Sequence, residues 1–209
     1  MWVDELKGTW NGQPALIIVG GPSLEFYRES DFRCFRKIGL NYVCRLWRTD
    51  MTLVVKDYIY ADVKGIVDSS SLVVPKCAVE PQEYERHIIW EPASNISSIW
   101  DESEINALYS SIDGGGTTVG IHLAHVLGAN PILLLGVDLK IYRDGKYHAE
   151  GYWHTDKFFP GGARQTPADV EVVFERQLST LKRIQSELAI RGTGLYFISY
   201  DHWRTQSER

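Results

Sequence analysis

Short runs of consecutive apolar residues mark the expected strands of this chain. The run at 15–19 ends at a Gly-Gly-Pro turn, and the run at 131–137 ends at Asp138. Continuous apolar runs of this length are typical of strands that are buried on both faces of a parallel sheet. Shorter runs predict five further strands, at 42–46, 58–61, 72–74, 87–90 and 195–199.

Apolar residues at helical spacing predict two long helices. Val119, Leu123 and Val126 recur on one face of the first, and Gly128 is positioned to end it. The second spans 167–191 and carries an apolar stripe along one side. Strands that alternate with helices predict an α/β protein with a Rossmann-like, doubly wound fold. This fold has a mainly parallel sheet with helices on both faces.

Composition and charge narrow the class of protein. The 209 residues carry a net charge of −5, which argues against nucleic acid as a partner. Cys34, Cys44 and Cys77 have no CxxC spacing, and no apolar run is long enough to span a bilayer. We therefore expect one soluble, cytoplasmic domain over residues 1–209, with reduced thiols and no membrane span.

A Gly-rich loop follows the first strand. Gly20, Gly21, Pro22 and Ser23 join the strand to a short helix that is expected near Leu24, with Ser23 as its cap. Such a turn can present backbone N–H groups and a helix N-terminus to a phosphate. A tight strand–helix turn in any α/β protein can look the same, so both interpretations stay open. The dinucleotide pattern GxGxxG and the Walker pattern are absent.

A second Gly-rich loop begins the helix near residue 115. Its candidate phosphate-binding residues are Gly115, Gly116, Thr117 and Thr118. The alternative is a flexible loop with a threonine cap. Asp62 and Asp138 each follow a predicted strand, which places them at the sheet edge where ligands bind. Asp138 can fix a sugar hydroxyl, bind a metal or cap a turn.

The polar, aromatic-rich segment 140–166 is long for a loop, and we expect it to be a lid over the site. It contains Tyr142, a candidate contact to the donor or a metal, and two histidines, His148 and His154. A histidine in such a loop can act as a general acid or base near neutral pH. A simple surface position is the alternative for either histidine.

Two segments of the chain resemble the MptE-like superfamily. They are ALIIVGGPSL at 15–24 and GGGTTVGIHLAHVLGANPILLLGVDL at 114–139. This superfamily contains hydroxymethylpterin diphosphokinases, motility accessory factors and bacterial lipooligosaccharide sialyltransferases. The chain departs from the usual pattern in three features: Gly20 replaces an Asn, Gly115-Gly116 replaces a Thr-Ser pair, and the second-strand Asn aligns with Arg45 or Leu46.

The resemblance implies how the site works. In the sialyltransferase branch the two Gly-rich loops bind the cytidine monophosphate half of the donor, which carries over to Gly20, Gly21, Ser23 and Gly115 to Thr118. A histidine before the long C-terminal helix is the base that deprotonates the acceptor hydroxyl. His154 is the best match here, and His148 is the second.

These observations favour a transferase that binds a nucleotide-activated donor. A sialyltransferase-like glycosyltransferase, acting on a sugar or other hydroxyl acceptor, is the first expectation. The alternative is a pterin pyrophosphokinase-like diphosphokinase that uses ATP and Mg²⁺, with Asp62 and Asp138 as the carboxylates. A non-catalytic nucleotide- or sugar-binding module is the third. No cofactor other than this possible Mg²⁺ is indicated.

Overall fold

The structure is a computed structural model that describes residues 1–93, 107–109, 115–139, 149–150 and 167–198. The described strands are β1 (Ala15–Ile18), β2 (Arg36–Leu40), β3 (Met51–Leu53), β4 (Leu72–Pro75), β5 (Ile88–Ala93), β6 (Ala107–Tyr109), β7 (Ile132–Leu135) and β8 (Leu195–Ile198). The α-helices in the same ranges are α1 (Asp57–Val63), α2 (Gly115–Val126) and α3 (Pro167–Ile190). Short 3-10 helices include Pro22–Phe26, Glu29–Phe32 and Asn41–Arg45.

The described strands form one sheet in the order β6-β5-β4-β3-β2-β1-β7-β8. Every neighbouring pair is parallel. The chain builds outward from β1 to β6 on one side, then returns to place β7 and β8 on the other. The strand order therefore reverses between β1 and β7, and such a switch point opens a crevice at the carboxyl edge of the sheet. The Rossmann-like, doubly wound architecture is confirmed.

Two hydrophobic cores cover the two faces of the sheet. Alternate residues of β1 point to opposite faces, so Ile17 joins one core and Ile18 the other. The first core contains the buried faces of α2 and α3, and the second contains α1 and the 3-10 helices that follow β1 and β2. Among the described helices, none combines the length and the apolar character needed to cross a membrane.

Two strand predictions were wrong in the region between β1 and β4. Residues 42–46 lie mainly in the 3-10 helix Asn41–Arg45, and residues 58–61 lie in α1. Both segments are apolar because they pack on the face of the sheet, where Tyr42, Val43, Ile59 and Tyr60 are buried. Strand β2 was missed because it begins with two charged residues, and β3 was missed because it has only three residues.

The remaining strand and helix predictions agree with the described elements to within a few residues. The predicted strands at 15–19, 72–74, 87–90, 131–137 and 195–199 correspond to β1, β4, β5, β7 and β8. The two long helices correspond to α2 and α3. Gly128 ends α2 as expected, with a φ of 81° and its N–H bonded to the carbonyl of His125 at 2.9 Å.

Candidate functional site

The loops that follow β1, β2 and β7 lie side by side at the carboxyl edge of the sheet. Ile18 at the end of β1 is opposite Gly39 of β2 and Leu135 of β7. Three loops with polar or glycine residues therefore leave the sheet at the switch point. Ligands of open parallel sheets bind in this position.

Asp138 follows β7, and its carboxylate lies against the first Gly-rich loop. The Ser23 N–H donates a hydrogen bond to Asp138 Oδ2 at 2.7 Å. The Gly21 N–H donates to the Gly136 carbonyl at 2.9 Å. A Cβ on Gly21 would overlap this carbonyl and would lie 2.5 Å from Asp138 Oδ2. The two loops approach so closely that position 21 requires glycine.

None of the four residues from Gly21 to Leu24 can offer a free N–H to a ligand. The Gly21 N–H is bonded to Gly136. The Ser23 N–H is bonded to Asp138, and the Leu24 N–H donates to the Gly21 carbonyl at 3.1 Å. Pro22 has no N–H. The Asp138 carboxylate lies where a bound anion would accept hydrogen bonds at this turn. The loop thus differs from the open phosphate cradle that its sequence suggested.

Two buried hydroxyl groups lie close to this contact. Ser23 Oγ and Tyr27 Oη are shielded from solvent and have no hydrogen-bond partner in the ranges that the structure describes. Burial, and to a smaller extent the negative charge of Asp138, raises the pKa of Tyr27. The prediction that Ser23 caps a helix is wrong, because the helix begins at Pro22 with Gly21 in the N-cap position.

The start of α2 offers the N–H groups that the first loop lacks. The N–H groups of Gly115, Gly116 and Thr117 have no acceptor among the described residues. A Cβ on Gly116 would lie 3.3 Å from both Leu40 and Val55, at the carboxyl ends of β2 and β3. The helix N-terminus is therefore packed directly above the same sheet edge. Its dipole and its unpaired N–H groups suit an anion.

Polar side chains accompany this helix start. Thr118 Oγ1 donates to the Gly115 carbonyl at 2.9 Å, and Gln177 Nε2 of α3 lies 3.5 Å from the position of a Cβ on Gly115. The sequence carried no signal for Gln177, because polar residues are common on an amphipathic helix. Only the packing of α3 beside α2 brings this amide to the site.

Asn41 is a further residue that sequence reasoning missed. It follows β2 directly, adopts a φ of 54°, and its Oδ1 accepts a hydrogen bond from the Val55 N–H at 3.2 Å. Arg45 and Leu46, which were predicted to lie in the second strand, lie beyond β2, because β2 ends at Leu40. Asn41 is the first residue after this strand.

Asp62 does not occupy the position that was expected for it. It lies in α1 rather than after a strand, and its Oδ2 accepts a hydrogen bond from the Tyr42 hydroxyl at 2.8 Å. Burial and this bond raise the pKa of Tyr42. Strand β3, which precedes α1, lies three strand positions from β7, or about 14 Å. Asp62 and Asp138 therefore make a poor pair for one shared cation.

No group of three or more potential metal ligands occurs within the described ranges. The described donor set thus gives no specific support to the Mg²⁺ site of the diphosphokinase hypothesis.

The histidines of α2 do not form a group of metal ligands with other described residues. His122 is buried, and burial with a smaller contribution from His125 lowers its pKa to about 4. His122 belongs to the buried face of α2.

The chain returns to the first loop at residues 149–150. The Ala149 N–H donates to the Gly20 carbonyl at 2.7 Å, and the Glu150 N–H donates to Glu25 Oε1 at 2.6 Å. His148, His154 and Tyr142 lie outside the described residues. The backbone next to His148 is nevertheless anchored at the switch point through Ala149.

Comparison with known proteins yields a distant structural likeness. No protein-family model and no curated protein matches this chain. Among solved structures, it is similar to the MAf glycosyltransferase from Magnetospirillum magneticum AMB-1, with a TM-score of 0.47 and 16% sequence identity. The match covers 76% of this chain and 29% of the other, so this chain spans less than a third of that protein.

Proposed function

We propose that the protein is a transferase that binds a nucleotide-activated donor at the carboxyl edge between β1 and β7. One observation carries this proposal: the first N–H groups of α2 have no acceptor among the described residues, and they lie at the same sheet edge as the Asp138 carboxylate. An anion-binding group and a hydroxyl-binding group together suit a ligand that contains both phosphate and sugar.

The phosphate end of the donor rests on the first turn of α2 in this proposal. Gly115, Gly116 and Thr117 supply N–H donors, and the helix dipole favours negative charge there. The Asp138 carboxylate repels a phosphate, but it accepts hydrogen bonds from hydroxyl groups. We therefore assign a sugar hydroxyl of the donor to Asp138. The loop from Gly20 to Ser23 holds Asp138 in place and forms the wall of the site.

Amide side chains give the site its remaining polar contacts. Asn41 lies beside the start of α2, because both contact Val55. Its Nδ2 has no acceptor within the described residues, so it can donate to a nucleotide base or a sugar. Gln177 approaches the same turn from α3. Amides can both donate and accept, which suits discrimination between bases.

In the chemical step the acceptor hydroxyl oxygen forms a bond to the activated carbon of the donor while the bond from that carbon to the phosphate oxygen breaks. The base takes the hydroxyl proton, and the nucleotide leaves with the electron pair of the broken bond. We assign the base to His154, with His148 as the second candidate and Tyr142 as a donor contact. All three belong to segment 140–166, which acts as a lid. The bond between Ala149 and Gly20 supports this placement, because it ties part of the segment to the first loop. The resemblance of the two sequence segments favours a sialyltransferase-like glycosyl transfer.

Binding measurements with a panel of ligands test this function. We expect CMP or UDP to raise the melting temperature without added metal, and turnover to require a sugar or other hydroxyl acceptor. ATP that stabilises only in the presence of Mg²⁺ would instead support the diphosphokinase with a pterin acceptor. Nucleotide binding without turnover on any acceptor would leave a binding module. No stabilisation by any of these nucleotides would contradict the proposal.

A further inference from the structure

A cavity lies at the amino edge of the sheet, away from the candidate site at the carboxyl edge. Its volume is about 680 Å³, within the usual range of roughly 300–1,000 Å³ for small-molecule sites. It lies between the chain that follows the 3-10 helix Asn41–Arg45 and the turn that follows α1. Lys37, Asp50, Thr52 and Ser71 mark the beginnings of β2, β3 and β4 on its wall. We call it the amino-edge cavity.

The acidic side chains of this cavity are already engaged by the protein. Glu29 accepts a hydrogen bond from the Arg48 N–H at 3.3 Å and lies 3.9 Å from Lys37 Nζ. Asp50 accepts from the Lys37 N–H at 2.8 Å and from Arg36 at 3.3 Å. Asp68 accepts from the Ser70 N–H at 3.0 Å. These contacts partly balance the negative charge of the cavity wall.

Two arginine side chains that line the cavity have no ion-pair partner among the described residues. The Arg45 guanidinium lies 4.8 Å from the centre of the Tyr42 ring, and its Nε is buried without a hydrogen-bond partner. The Tyr42 hydroxyl donates to Asp62, so this nearby carboxylate is engaged as well. Neither Arg45 nor Arg48 forms a side-chain hydrogen bond or ion pair within the ranges that the structure describes.

A buried guanidinium Nε–H without an acceptor, as in Arg45, is unusual, because buried polar groups are normally hydrogen-bonded. The planar fork of a guanidinium matches the oxygens of a carboxylate or a phosphate. The same wall carries Trp47, Ile66 and Val67, which offer apolar surface beside the two arginines. We propose that the amino-edge cavity is a second ligand site, which binds a small organic anion through Arg45 and Arg48. This site is independent of the proposed function at the carboxyl edge.

The test follows the Nε–H signal of Arg45 by NMR while anions are added. Inorganic phosphate, glycerol 3-phosphate and benzoate are the probes, so that the arms separate a phosphate ligand from a carboxylate ligand. We expect at least one organic anion to shift this signal with a dissociation constant of about 1 mM or tighter. Arg45→Gln should weaken this binding at least tenfold, since a guanidinium paired with an anion forms strong, charge-assisted bonds.

Arg33→Gln is the matched control, because Arg33 is exposed, carries the same charge and does not line the cavity. Its affinity should equal that of the wild type. If Arg45→Gln does not fold, Arg48→Gln takes its place with the same expected loss. Absence of binding by both glycerol 3-phosphate and benzoate overturns the proposal, whether or not inorganic phosphate binds. Equal affinity in the wild type and in a folded variant of Arg45 or Arg48 also overturns it.

Discussion

Asp138 Oδ2 accepts a hydrogen bond from the Ser23 N–H at 2.7 Å, although 115 positions separate the two residues in the sequence. The bond joins the loops that follow β7 and β1, on the two sides of the switch point of the sheet. It also places a carboxylate where the sequence alone suggested a phosphate. The proposed division of the site into a hydroxyl-binding end and a phosphate-binding end rests on this contact.

Substitution of Asp138 separates its structural role from its role in binding. Asp138→Asn keeps an oxygen that can accept from Ser23, so we expect the free energy of unfolding to fall by only about 1 kcal/mol. Donor affinity should fall roughly 10- to 100-fold, because a charged hydrogen bond to a ligand contributes about 1.5–3 kcal/mol. Urea unfolding and calorimetry measure the two effects. A large loss of stability with intact affinity would make Asp138 a turn cap alone.

Gly21 should be intolerant of any side chain. Gly21→Ala places a methyl group against the Gly136 carbonyl and Asp138, and we expect a loss of about 2 kcal/mol in the free energy of unfolding. Gly65→Ala is the control, since a Cβ at position 65 meets no atom within 4 Å. It should change stability by less than about 0.5 kcal/mol. Equal melting temperatures for the two variants would contradict the close approach of the loops.

The fold could be predicted from the sequence because its central elements have strong local signals. The apolar runs of β1 and β7 and the spacing of α2 and α3 identify a parallel sheet with helices on both faces. Between residues 36 and 63 the signal is misleading. The large side chains of Tyr42 and Ile59 pack on a face of the sheet and do not belong to a strand. Only tertiary packing distinguishes such a covering segment from a buried strand.

The candidate site could be predicted only in part. The first glycine loop and Asp138 follow β1 and β7, and their location at one edge follows from the pairing of these two strands. Their roles did not follow from the pattern. The bond between Asp138 and Ser23 depends on the pairing of β1 with β7, and the approach of Gln177 depends on how α3 crosses α2.

His122 should make the stability of the protein depend on pH. Burial lowers its pKa to about 4, against an ordinary value of 6.5. Below pH 6.5 the unfolded chain binds a proton that the folded chain does not, so the free energy of unfolding falls as the pH falls. This contribution amounts to about 3 kcal/mol by pH 4. Urea unfolding between pH 7 and pH 4 measures it.

His122→Gln should remove this part of the pH dependence, whereas His125→Gln should retain most of it. Other groups titrate in the same range, so the difference between the wild type and each variant is the quantity of interest. Parallel curves for the wild type and His122→Gln would show that His122 accepts a proton in the folded state.

His154 is expected to be the general base of the transfer. His154→Ala should lower turnover by roughly 10²- to 10⁴-fold, the usual contribution of such a group, with little change in donor affinity. The wild-type rate should rise with pH through an apparent pKa of about 6.5. His148→Ala should have a smaller effect. The reverse ranking in steady-state kinetics would assign the base to His148, and full activity in both variants would remove it from this segment.

The binding of phosphate at the start of α2 is tested most directly by a charge at Thr117. Thr117→Asp adds a negative charge near a helix N-terminus, which should raise the stability of the protein by about 0.3–1 kcal/mol. The same charge should repel a bound phosphate, and titration calorimetry with CMP and UDP should show affinity at least tenfold weaker than in the wild type. Thr117→Asn, the uncharged counterpart, should bind like the wild type. Wild-type affinity in Thr117→Asp, or an equal loss in both variants, would contradict a phosphate site on α2.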